Sequence, residues 1–143
     1  MLKGIPSLIS PELLKILSEM GHGDEITIGD ANFPGHSLCG RVIRMDGHSV
    51  PEILDAILTL LPLDQYVEQP AALMQVVPGD NTKTPIWDTY REIVARHDER
   101  GSACLQEVER FAFYDRVKEK SYAVIMSGEK AKYANIILKK GVI

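Results

Sequence analysis

The sequence predicts an α/β fold: a single three-layer domain with a central, mainly parallel or mixed sheet flanked by helices. Stretches with apolar residues at helical spacing alternate along the chain with short apolar runs of strand character, and turn formers separate the two. The chain has 143 residues, 45% of them hydrophobic and 25% charged. That is enough to bury one core without a disulfide or a structural metal, so residues 1–143 are expected to form one domain.

The first helix is expected to open at Ser10-Pro11-Glu12. A hydroxyl caps it, proline loses nothing by lacking an N–H in the first turn, and an acid suits the helix dipole. Leu13, Leu14, Leu17 and Met20 recur at helical spacing, and Gly21 supplies the stop. Glu25 to Ile28 alternates as a strand and breaks at Gly29-Asp30. Ala31 to Gly40, with Asn32-Phe33-Pro34-Gly35-His36, is too rich in turn formers for a regular element.

A second strand is expected at Arg41 to Met45, and Asp46-Gly47 turns the chain. Ser49 and Glu52 form a capping box for a helix whose stripe is Ile53, Leu54, Ile57, Leu58 and Leu61, ended by Pro62. Ala71 to Val77 reads as a buried strand closed by Pro78-Gly79-Asp80. Thr84-Pro85 opens a helix carrying Ile86, Tyr90, Ile93 and Val94. Phe111 to Lys118 favours a further helix, Tyr122 to Met126 a buried strand, and Asn135 to Leu138 a last strand.

The net charge of −4 is unevenly spread. Residues 1–109 hold 8 Lys/Arg against 17 Asp/Glu, and residues 110–143 hold 8 against 3. The basic end lacks the aromatic interleaving of a nucleic-acid module, so no nucleic acid is expected. The first ten residues carry no apolar signal stretch, and no segment suits a membrane span, so a cytoplasmic protein is expected. Cys39 and Cys104 form no CxxC pair and read as reduced structural thiols.

Chemically capable groups are densest at His22, Asp24, Glu25, Asp30 and His36, beside an early strand. Loops at one end of an α/β sheet commonly hold ligands. His22 lies between two glycines, where the ring is hard to bury and a ligand can come close; its alternative role is to cap the last carbonyls of the first helix. For Asp30 the alternative is a turn-forming aspartate. For the two to meet, the loops flanking their shared strand must fold back over one end of the sheet. No P-loop, GxGxxG, GxSxG or HExxH pattern occurs, which removes the usual nucleotide, nucleophile-elbow and zinc-protease signatures.

Three ordered stretches resemble the fucose mutarotase and ribose pyranase (RbsD/FucU) family, and its fucose branch in particular. The first runs from Leu8-Ile9-Ser10-Pro11-Glu12-Leu13-Leu14 into Glu19-Met20-Gly21-His22-Gly23-Asp24-Glu25. The second is Arg110-Phe111-Ala112-Phe113-Tyr114, and the third is Gly128 to Gly141, containing Lys132-Tyr133-Ala134-Asn135. The resemblance implies anomer interconversion of a free sugar without a cofactor. His22 would be the catalytic acid/base, with Asp30, Arg110, Tyr133, Ala134 and Asn135 as sugar contacts. It also implies a homo-oligomer, commonly a decameric ring with sites near subunit contacts. The chain departs from a fucose-type member at Ala134, where that member has glycine.

Histidine suits this chemistry because an unperturbed imidazole titrates near ~6.5 and exchanges protons in both directions at neutrality. In this reading Asp30 either fixes the tautomer of His22 or binds a sugar hydroxyl. Two rival functions use the same residues: a monosaccharide-binding or transport-associated protein without catalysis, and a metal-dependent isomerase or hydrolase built on the early loop.

Overall fold

The Ser10 hydroxyl accepts from the Leu13 N–H at 3.1 Å and starts α1 (Pro11–Glu19). From this point the computed structural model, which describes residues 1–143, runs through an alternating series. It comprises β1 (Glu25–Gly29), α2 (Gly35–Leu38), β2 (Val42–Met45), α3 (Val50–Leu60), β3 (Ala71–Met74), α4 (Pro85–His97), β4 (Leu105–Val108), α5 (Arg110–Lys120), β5 (Ser121–Ser127) and β6 (Ile136–Lys139), with a 3₁₀ turn over Gly101–Cys104. The capping box at Ser49 and Glu52 forms as expected, with each side chain bonded to the other residue's N–H.

The six strands make one mixed sheet in the order β2-β5-β1-β6-β3-β4. β1, β2 and β5 pair in parallel, as do β3 and β4, while β6 runs antiparallel to both of its neighbours, β1 and β3. β6 is therefore the only reversed strand. Its first residues lie where the others end, and its last residues lie where the others begin.

Strand alternation divides the buried side chains between the two faces. Ile26, Ile28, Leu73 and Ile125 pack with α1, α3 and α4 in a cluster of 29 buried residues. Ala72, Met74, Val124 and Met126 meet Phe33 and, on α5, Phe113 and Val117 in a cluster of eight. The three-layer arrangement follows, with a thick face and a thin one. Within β1, Glu25 is 2% exposed and forms a two-bond pair with Arg116 of α5, at 3.0 and 2.9 Å.

Three local readings need correction. The loop Ala31 to Gly40 contains the single-turn α2; a Cβ on Gly35 would collide with Met126 and Val124, so glycine lets this turn lie directly on the sheet. The third strand stops at Met74 instead of reaching Val77. β4 was not anticipated, because Leu105-Gln106-Glu107-Val108 is a half-exposed edge strand with little apolar patterning.

Candidate functional site

The parallel strands and the reversed β6 bring distant parts of the sequence to one end of the sheet. Asp30 follows β1, Asp80 lies in the loop after β3, Arg110 opens α5 directly after β4, and Tyr133 and Asn135 precede β6. These residues line a cavity of about 240 Å³ with Phe33, Tyr114 and Lys132. It sits beyond the C-terminal ends of the parallel strands, the usual ligand position of an open α/β sheet.

Within the cavity, the Asp30 N–H donates to Asn135 Oδ1 at 2.8 Å, and the Asp30 carboxylate accepts from the Asn32 N–H at 2.9 Å. The turn-forming role is thus real, but it leaves acceptor capacity on a side chain that borders the cavity. Burial pushes the Asp30 carboxyl above its ordinary range. Hydrogen bonds from Asn32, Ala134 and Asn135 oppose that rise, and the nearby Glu129 charge adds to it.

Tyr133 has φ 56°, a left-handed backbone that a non-glycine residue seldom adopts. Two donors on α4 hold it there: Trp87 Nε1–H to the Tyr133 carbonyl at 2.8 Å, and the Tyr90 hydroxyl to the Ala134 carbonyl at 2.7 Å. The Tyr133 hydroxyl donates to Asp80 at 2.6 Å, and that bond raises the phenol's pKa, so it stays protonated. Asp80 in turn is held at about 2, chiefly by hydrogen bonds from Thr82 and Tyr133. Arg110 occupies the first turn of α5, where a cation opposes the helix dipole; its Nε–H donates to the Tyr114 hydroxyl at 3.2 Å, and its guanidinium lies 5.5 Å from that ring's centre. The cavity therefore offers a carboxylate, an amide, a guanidinium and a phenol, a set able to donate and accept hydrogen bonds with a polar ligand.

His22 lies at the other end. β1 separates it from Asp30, and five extended residues span about 15 Å. The flanking loops do not fold back, so within one chain Asp30 does not fix the His22 tautomer. That contact is made by Asp64, whose Oδ1 accepts from His22 Nε2–H at 3.0 Å. The helix-capping alternative fails as well, because the Lys140 amino group bonds the Leu17 and Met20 carbonyls at the end of α1. His22 remains 44% exposed at its side chain, next to the exposed Tyr66 ring at 5.3 Å. A larger cleft of about 500 Å³ adjoins it, but its walls include Leu14, Leu17, Leu61 and Pro62 and offer few hydroxyl-reading groups.

Asp24 accepts from the Gly21 N–H at 2.8 Å, Glu25 is consumed by Arg116, and His36 sits on α2. No group of three His, Cys, Asp or Glu side chains converges as metal ligands would. Asp64 and Asp80 were absent from the sequence-based candidates: the first lies in a plain Leu-Asp-Gln-Tyr stretch, and the second reads only as a turn former.

One consequence of the buried Asp30 is measurable. Its folded pKa lies above the unfolded value of 3.8, so the cost of its charge is absent below that value and fully present once pH exceeds the folded one. Asp30→Asn is expected to melt at a higher temperature than wild type at pH 7, with the difference vanishing as pH falls to about 4. Melting curves across that range check it.

A family model described as the RbsD / FucU transport protein family matches residues 3–143. The fucose mutarotase of Mus musculus is 53% identical, over 99% of this chain and 95% of the relative. Among solved structures, FucU from Bifidobacterium longum superposes with a TM-score of 0.96 at 57% identity, covering 99% of both chains. The fucose mutarotase of Streptococcus pneumoniae, solved in complex with L-fucose, superposes at 0.91 with 49% identity, again over 99% of both. With the family model matching nearly the whole chain and relatives about 50% identical along its full length, the chain belongs to the RbsD/FucU family.

Proposed function

We propose that the chain is a mutarotase that interconverts the α and β anomers of L-fucose. The observation that carries this is the polar cavity of Asp30, Arg110, Tyr133 and Asn135, in a chain 49% identical to a fucose mutarotase solved with L-fucose. Ala134 lies beneath it, fully buried, and contributes backbone only. A cytoplasmic place suits an enzyme of free sugars, and no helix is long and apolar enough to cross a membrane.

Mutarotation requires a proton to leave the anomeric hydroxyl and one to reach the ring oxygen as the bond from that oxygen to the anomeric carbon breaks. Both oxygens are attached to the same carbon, so a single imidazole nitrogen can take the first proton and deliver it to the second atom. Rotation of the open aldehyde and the reverse transfer give the other anomer. His22 is the imidazole for this task, and Asp30, Arg110, Tyr133 and Asn135 hold the remaining hydroxyls.

His22 and the cavity lie at opposite ends of one chain, so the complete site takes its histidine from a second copy. The separation across β1, the exposed imidazole with Tyr66 beside it, and the exposed Phe111 beside Arg110 support this. A ring-shaped homo-oligomer, commonly a decamer in this family, is one such assembly. His22→Asn and Arg110→Ala proteins, each inactive, should regain part of the wild-type rate when mixed under exchange of subunits. No recovery in mixed oligomers, or a strictly monomeric active enzyme, contradicts the shared site.

The function itself is tested by exchange NMR on the anomeric protons of L-fucose, with D-ribose alongside. Faster exchange on addition of the protein is expected, greater for L-fucose. Broadened ligand signals with exchange at the rate of water would make it a binding protein instead.

A further inference from the structure

We infer that Asp80 is a positioning residue of the sugar cavity: it accepts the hydrogen bond of the Tyr133 hydroxyl, so that the phenol meets the ligand as an acceptor and selects a sugar hydroxyl that donates to it. The inference rests on the reading of this cavity as the sugar site, but the hold of Asp80 on Tyr133 does not.

The loop between β3 and α4 is built to present this carboxylate. Val77-Pro78-Gly79-Asp80 closes as a turn, with the Asp80 N–H donating to the Val77 carbonyl at 3.0 Å. Proline in its second position and Gly79, with φ 87°, in its third are the residues a type II turn favours. The Asp80 side chain then folds onto the residues that follow. Its Oδ1 accepts from the Thr82 N–H at 2.9 Å and from the Thr82 hydroxyl at 2.6 Å. Its Oδ2 is left to accept from the Tyr133 hydroxyl at 2.6 Å. Both ends of the loop are anchored, the Gln75 N–H on the Val108 carbonyl at 2.8 Å and the Thr84 carbonyl on the Trp87 N–H at 3.1 Å.

Tyr133 is thus gripped twice, at its carbonyl by Trp87 and at its hydroxyl by Asp80. Asp80, held at about 2 by the bonds from Thr82 and Tyr133, is ionised at neutrality and can only accept. The phenolic proton is committed to it and is not free for a sugar. The phenolic oxygen still has two lone pairs, and the Val77 N–H reaches it only at 3.4 Å, which leaves acceptor capacity on the cavity side. The other charged or titratable groups around the cavity are Asp30, Arg110, Tyr114 and Lys132. Asp80 raises the pKa of the phenol and the Arg110 charge lowers it, with the rise prevailing.

The direction of this bond decides what the cavity tolerates. A free phenol turns its proton toward whatever it meets and serves donors and acceptors alike. Tied to Asp80, it receives a hydroxyl but faces an ether oxygen or a fluorine lone pair to lone pair, and so works against ligands that only accept.

Tyrosines labelled with ¹³C at Cζ, with Tyr133 assigned by its absence in Tyr133→Phe, report the hold directly. The Tyr133 phenol should ionise at a lower pH in Asp80→Asn than in wild type; an unmoved titration overturns the inference, whatever the protein binds. Asp80→Ala should weaken L-fucose binding roughly 3- to 10-fold, about the net worth of one hydrogen bond. Asp80→Asn, whose amide oxygen still accepts from the phenol, should keep most of the affinity. In the Tyr133→Phe background Asp80→Ala should have no further effect. An equal loss in both backgrounds means that Asp80 touches the sugar itself or acts through the fold, and overturns the inference, as does unchanged affinity in Asp80→Ala. Monodeoxyfluoro analogues of L-fucose read the direction of the bond, since fluorine cannot donate. One analogue should bind more weakly than L-fucose to wild type and lose that handicap in Tyr133→Phe, whereas handicaps that are the same in both proteins overturn the acceptor role. If L-fucose does not bind wild type at all, the sugar reading fails, and the Tyr133 titration still decides the hold of Asp80.

Discussion

Replacing His22 by asparagine should cut the enzyme-driven exchange of L-fucose anomers by about 10² to 10⁴ while leaving the dissociation constant for the sugar nearly unchanged. Two features support the split. His22 lies before β1 with its ring half exposed, and Asp30, Arg110, Tyr133 and Asn135 line a separate cavity at the other end of the sheet. Asparagine is polar, close in size and able to donate to Asp64, so the buried carboxylate keeps a partner and the fold should survive. Saturation-transfer rates and ligand titrations on the same sample separate the two effects. A variant that turns over at the wild-type rate removes His22 from the chemistry, and one that also loses binding makes it a sugar contact.

The second large effect concerns stability. Arg116→Ala leaves the carboxylate of Glu25, 3% exposed at its side chain, without its cation at the start of β1. Stranding one member of a buried pair typically costs about 3–5 kcal/mol, and a denaturation midpoint should fall accordingly. Glu25→Gln should cost less, because the Arg116 side chain is 20% exposed and can turn its charge to water. Equal losses in urea titrations of the two variants would show that Arg116 matters through packing more than through charge.

The elements bearing regular apolar stripes and explicit caps were legible in the sequence. Ser10 and Ser49 cap helices in the structure as their neighbours imply, and the apolar runs of β1, β3 and β5 are central strands. β4 was not legible because an edge strand needs no alternating apolar face, and α2 was hidden because its glycine serves contact with the sheet instead of flexibility. For the site, sequence order placed His22 and Asp30 as near neighbours around one strand. A strand separates its own ends, however, and only the direction of each neighbour decides which distant residues meet. Tyr133 and Asn135 join Asp30 because β6 runs backwards between β1 and β3, and Asp80 and Arg110 join it because β3 and β4 run in the direction of β1. The partnership of Asp64 with His22 depends on the same reversal, which no local pattern records.

The left-handed backbone of Tyr133 has a consequence for anyone who sets out to harden this protein. Glycine at that position would release the strain but remove the phenol from the cavity, and asparagine at position 30 would relieve a buried charge at the expense of its carboxylate. A library selected on melting temperature alone should therefore enrich Tyr133→Gly and Asp30→Asn together and return robust proteins that no longer recognise sugar. Selection for heat resistance in this fold has to be paired, round by round, with selection for ligand capture.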